Sequence, residues 1–124
     1  MKYNTNKKHF KTFKKYFKNY TIFFGITDWN LNFQHDISLL TQDFACVQPD
    51  IDSRNVVISF NPVWENIKPT KKYIKLVAIH ECLELFLYRL RCIANSRFDF
   101  TQHDLDEEMH KIIRVLENKL LNRI

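Results

Sequence analysis

One short segment of the sequence combines side chains suited to metal and acid–base chemistry. It reads His80-Glu81-Cys82-Leu83-Glu84, so a histidine and a glutamate are four residues apart with a second glutamate between them. In a helix, residues at positions i and i+4 lie on the same side, so this imidazole and this carboxylate would point in one direction. The spacing therefore predicts either a metal site or a buried network of ionisable groups.

The segment lies within a predicted helix from Lys71 to about Asn95, which contains no helix breaker and follows Thr70, a suitable cap. Apolar residues occur on nearly every side of this helix, which is typical of a core helix. His80 and Glu84 share a face with Val77 and Leu87. Glu81 lies on the flank of this face, and we therefore expect the imidazole and both carboxylates to be buried.

A buried carboxylate needs a cation, a proton or a metal, because leaving it unpaired costs several kcal/mol. Three partners are open at this stage. Arg89 or Arg91 of the same helix could pair with the acids. The following helix could supply groups along one flank of its apolar stripe, namely Asp106, His110 and Glu117. A divalent metal could also lie between the two helices, held on one side by residues at i and i+4.

The sequence His80-Glu81-x-x-Glu84 resembles the HExxH helix of zinc-dependent peptidases. Ile74 to Leu90, together with the segment from Glu107 to Arg114, is also similar to small phage-encoded proteins with a minimal zincin-like fold. The resemblance implies a zinc cofactor and peptide hydrolysis. It implies that His80 is a zinc ligand, that Glu81 is the general base that polarises the attacking water, and that Glu84 replaces the second histidine of the motif.

The third ligand is expected on the following helix. The helical wheel and the phage resemblance favour His110, and Glu107 is the alternative because some zincins use an acid from that helix. One carboxylate and two imidazoles are an acceptable ligand set for zinc.

The remaining pattern predicts an α+β fold in a single zincin-like domain, 1–124, with the order helix, three strands, two long helices. The N-terminal helix is expected over about Asn6–Tyr20, with Thr21–Ile26 as either its continuation or a short strand. Three strands are expected to form a small, mostly antiparallel meander: one around Trp29–Phe33, then Asp43–Val47 and Val56–Phe60. The last helix should begin at Thr101, pack on the long helix and run to the C-terminus.

Charge is concentrated at the N-terminus. Residues 1–27 contain seven lysines and no acid, so the remaining residues carry about −2 of the net +5. One interpretation is a solvated face of an amphipathic helix. The other is a surface for an anionic partner, either nucleic acid or an acidic protein, formed by Lys7, Lys11, Lys14 and Lys18.

Composition indicates the cellular compartment in which the protein is expected. Three cysteines without CxxC spacing indicate reduced thiols, and no apolar stretch is long enough to span a bilayer, so we expect a cytoplasmic protein. Two functions remain as hypotheses. The first is a zinc-dependent peptidase-like hydrolase acting on a peptide. The second is a non-catalytic, phage-encoded binding or inhibitor protein on a zincin-like scaffold that engages a host protein or complex.

Overall fold

The computed structural model describes residues 1–36, 43–96 and 100–121. These residues form two compact units, Met1–Leu85 and Phe86–Ile124. Eight elements follow in chain order: β1 (Lys2–Asn4), α1 (Lys7–Phe23), β2 (Asn30–Gln34), β3 (Ala45–Asp50), β4 (Asn55–Phe60), β5 (Val63–Glu65), α2 (Lys71–Asn95) and α3 (Gln102–Leu121). The α+β class predicted from the sequence is confirmed, whereas nothing in the structure tests the prediction of one domain.

Helix α1 is capped at its N-terminus by Asn6. The Asn6 side chain accepts a hydrogen bond from the His9 backbone N–H at 2.9 Å, and His9 Nδ1 accepts from the Asn6 backbone N–H at 3.1 Å. The helix continues through Thr21 and ends at Phe23, so the open choice after Tyr20 resolves as helix. Gly25 follows with a φ of 67°, a conformation that glycine adopts without strain.

The three-stranded sheet has the order β2-β4-β3, with β4 parallel to β2 and antiparallel to β3. The predicted meander order is therefore wrong, because a meander would place β3 in the centre. Strand β4 takes the centre since its Val56, Ile58 and Phe60 side chains are completely buried. Strand β3 contains Pro49, which has no N–H to donate and is tolerated at a sheet edge.

A second sheet was not predicted. Strand β1 pairs antiparallel with β5, and Tyr3 lies opposite Trp64. Thr5 extends this junction, because its hydroxyl donates to the Asn61 carbonyl at 2.9 Å and lies 2.7 Å from His35 Nε2. A three-residue strand is too short for its alternation of apolar and polar residues to be recognised in the sequence.

The core of the first unit joins both helices to the central strand. Phe13 of α1 packs on Phe60 of β4 with ring centroids 4.8 Å apart, and Phe17 meets Phe33 of β2 edge-on at 5.5 Å. Helix α2 buries Ile74, Ala78, Cys82 and Leu85 in the same core. These four residues follow the i, i+4, i+8, i+11 spacing of one helix face.

The second unit contains the C-terminal part of α2 and helix α3. Arg89 Nε lies 3.2 Å from Glu108 Oε2, and the Glu108 side chain is almost completely buried. The two helices therefore meet through an ion pair, and Ile93 and Ile112 add buried apolar surface. Among the described residues no helix is long and apolar enough to cross a membrane.

Candidate metal centre

Helix α2 presents the candidate site at the border of its buried face. Glu81 lies on the side that packs into the core and is 6% exposed. His80 and Glu84 lie beside it on the outer flank, with side chains 71% and 49% exposed. The site is therefore open to solvent at His80 and Glu84, and the buried Glu81 carboxyl group lies on its core side.

The three side chains converge. Each offers a ligand atom, and these atoms lie within 4.8 Å of one another. His80 Nε2 is 3.9 Å from Glu84 Oε1. Two ligands on a tetrahedral zinc with bonds of about 2.0–2.1 Å are roughly 3.4 Å apart, so a small side-chain rotation would bring this pair to a bonding geometry.

The surroundings of Glu81 favour its neutral form. Burial, the neighbouring Glu84 carboxylate and the charge of Asp43 raise the pKa of Glu81 to about 9. Within this arrangement the protonated Glu81 carboxyl donates a hydrogen bond to Glu84, while the Val47 backbone N–H donates to Glu81 and acts in the opposite direction. Oε2 of Glu81 is buried and has no hydrogen-bond partner among the described residues.

This donor set fits a divalent cation. Among residues 1–36, 43–96 and 100–121, those that influence the pKa of Glu81 contribute two further carboxylates and a backbone amide, and none of them is a lysine or an arginine. A buried carboxylate without a cationic side chain requires a proton or a metal. The His80 imidazole and the Glu84 carboxylate are acceptable ligands for zinc and similar ions, and an ionised Glu81 beside them would add negative charge that favours the cation.

The expectation that His80 and Glu84 are buried is wrong. Their face of α2 points outward, and Tyr73 and Leu87 on that face are each 41% exposed. The helix is apolar on nearly every side, so the periodicity could not select the buried face, and packing against the sheet decided it instead. Exposure makes these two side chains accessible to an ion from solvent.

The other predicted site residues are elsewhere. Arg89, one possible partner for the acids, pairs with Glu108. His110 and Glu107 lie on the exposed surface of α3 in the second unit, and their assignment as the third ligand stays a prediction. Glu107 Oε2 is 3.8 Å from His103 Nε2, an exposed pair with the same i, i+4 spacing as His80 and Glu84.

The structure adds two residues that sequence reasoning did not find, Asp43 and Val47. Both come from the edge strand β3 or its approach, and they act on Glu81 through charge and through a backbone N–H. No local pattern marks them, because their role depends on how β3 lies beside α2.

His35 is a half-buried histidine outside the candidate site. It stacks on Phe10 with ring centroids 5.0 Å apart, and burial lowers its pKa.

The four lysines predicted to bind an anionic partner all lie on α1, but they are not equivalent. Lys14 Nζ lies 4.6 Å from the centre of the Phe10 ring, and Lys18 Nζ lies 5.6 Å from that of Phe33. Lys7 and Lys11 are exposed and make no such ring contact with any residue that the structure describes. The anion-binding role itself stays a prediction.

Comparison with known protein families, with curated proteins and with solved structures finds no match for this chain.

Proposed function

We propose that this protein is a divalent-metal-dependent hydrolase of the zinc-peptidase kind, with its site on α2. The observation that carries the proposal is the convergence of ligand atoms from His80, Glu81 and Glu84 within 4.8 Å. Within the described part of the chain no lysine or arginine acts on the buried Glu81 carboxyl group. The similarity to HExxH peptidases and to phage-encoded zincin-like proteins agrees with it, and so does the expected cytoplasmic setting.

Each residue has a distinct role in this proposal. His80 and Glu84, which are exposed and 3.9 Å apart, hold the ion. Zinc, when bound, supplies a Lewis acid and lowers the pKa of coordinated water. A bound cation would favour the ionised form of Glu81, and the carboxylate would then accept a proton from the attacking water and pass it to the leaving amine. The Val47 N–H donates a hydrogen bond to the Glu81 carboxyl group and would hold its orientation.

A second function is favoured by a different observation. Glu81 is 6% exposed and hydrogen-bonded to the backbone, which is typical of a structural carboxyl group. In this alternative the protein binds metal without catalysis and engages a host protein or complex through its surface.

Zinc content provides the first test. We expect purified protein to bind zinc stoichiometrically and His80→Ala to lose it. His103→Ala is the matched control, because His103 is an exposed histidine with a glutamate at i+4. The described residues form no three-residue ligand cluster that includes it. Equal zinc binding by the two variants would contradict a site at His80.

Glu81→Gln then separates the two functions. The amide cannot accept a proton, so the variant should retain zinc and lose hydrolysis of a fluorescein-labelled unfolded protein such as casein. Peptidase activity that is equal in wild type and Glu81→Gln would exclude Glu81 as the base. Zinc binding by wild type without hydrolysis of any peptide in a mixed library would favour the non-catalytic function.

A further inference from the structure

Helix α1 has a continuous cationic face that the metal site does not use. Six lysines within residues 7–18 fall in an arc of about 120° on the helix, on the side away from buried Phe13 and Phe17. We call this set the α1 lysine face: Lys7, Lys8, Lys11, Lys14, Lys15 and Lys18. Helix α1 contains no acid.

The charges of this face are not neutralised within the described part of the chain. None of the six lysines forms an ion pair there, whereas Lys2 pairs with Glu65 at 3.9 Å. Lys14 and Lys18 lie over aromatic rings, which limits the motion of their ammonium groups. The face therefore combines a high charge density with two partly fixed cations.

The dimensions of the face match a linear polyanion. From Lys7 to Lys18 the helix rises about 16 Å, and duplex nucleic acid carries one negative charge per about 1.7 Å of its axis. A duplex segment of this length carries roughly ten phosphate charges on its two strands, and part of them lie on the side that the lysines would face. Lysine contacts of this kind position a protein on the backbone and do not read bases.

Two other anionic partners fit less well. A helix that lies on a membrane inserts its apolar face, but in α1 that face is in the core, with Phe13 and Phe17 completely buried. A protein partner normally requires an apolar centre in the interface. The exposed apolar residues of α1, Ile22 and Phe23, lie beyond its last lysine.

We propose that the α1 lysine face binds the phosphate backbone of double-stranded nucleic acid without sequence preference. The proposal is independent of the metal site, because it depends only on the charge and accessibility of α1.

The test compares two triple variants with the same change in net charge. The test variant, called the α1 triple, carries Lys7→Gln, Lys11→Gln and Lys15→Gln. The control triple carries Lys68→Gln, Lys71→Gln and Lys72→Gln, which lie just before and at the start of α2. All six side chains are exposed. Fluorescence anisotropy with a labelled duplex of about 24 base pairs gives the affinity at about 50–200 mM KCl. Circular dichroism checks that each variant keeps its helices.

We expect the α1 triple to lose at least about tenfold in affinity at the lowest salt and its salt slope to decrease in magnitude by about 2.7, since each phosphate contact contributes about 0.9. The control should stay within about threefold of wild type, and a duplex of unrelated sequence should bind equally well. Equal weakening by both triples would overturn the proposal. So would tighter binding, at the same salt, to polyglutamate or to vesicles rich in phosphatidylserine.

Discussion

Replacing Glu81 by glutamine should stabilise the metal-free protein at neutral and alkaline pH. The folded protein keeps this carboxyl group protonated because burial, Glu84 and Asp43 raise its pKa from 4.5 to about 9. Glutamine has nearly the same shape and is neutral at every pH. Its amide N–H can donate to Glu84, and its carbonyl can accept from Val47, so the local hydrogen bonds are retained.

The direction of the pH dependence follows from linkage. In the unfolded chain Glu81 ionises near its ordinary value of 4.5, whereas in the folded chain it keeps its proton until about pH 9. Between these values the folded state binds more protons, so the free energy of unfolding falls as pH rises, by about 1.4 kcal/mol per pH unit. The full contribution is present below pH 4.5 and is lost by about pH 9.

At pH 7 the protein is 2.5 pH units above the ordinary pKa of 4.5, which corresponds to about 3 kcal/mol. Glutamine removes this penalty. Urea unfolding in the presence of a chelator, followed by circular dichroism, measures the difference. We expect wild type and Glu81→Gln to be similar at pH 5 and the variant to be more stable by about 3 kcal/mol at pH 7.

Glu108→Gln is the matched control, because Glu108 is also buried but faces Arg89 at 3.2 Å. Removal of its charge leaves Arg89 without its partner, so this variant should be less stable than wild type by a few kcal/mol. If Glu81→Gln destabilises the chelated protein at pH 7 as Glu108→Gln does, then Glu81 is ionised there and the electrostatic argument is refuted.

Two further substitution pairs test the packing. The double variant Lys14→Gln, Lys18→Gln loses two cation–π contacts, so its free energy of unfolding should fall by about 1 kcal/mol. The double variant Lys7→Gln, Lys11→Gln loses only exposed charges and should change by less than about 0.5 kcal/mol. Equal effects of the two double variants in thermal unfolding would argue against the ring contacts. Cys82→Asp should unfold the protein, because its side chain is completely buried, while half-buried Leu83 should tolerate Asp better. Equal helix loss by circular dichroism in these two variants would contradict the observed orientation of α2.

The sequence by itself determined the long helices and the proximity of the ionisable side chains on α2. Helix α2 was predicted to within a residue or two because no breaker interrupts it, and α1 because Phe10, Phe13 and Phe17 recur at helical spacing. The convergence of His80 and Glu84 follows from helix geometry alone. These features depend on residues close together in the chain, so a local pattern contains the necessary information.

Only the tertiary structure decided which side of α2 is buried and which strand is central. An all-round apolar helix has no preferred face until a sheet packs on it, and that packing buried Glu81 while leaving His80 and Glu84 exposed. Strand order depends on which strand has the most side chains to bury. Strand β4 is central, and three of its side chains are completely buried. The raised pKa of Glu81 has the same origin, since Asp43 and Val47, in β3 and the segment just before it, act on Glu81 from more than thirty residues earlier in the chain.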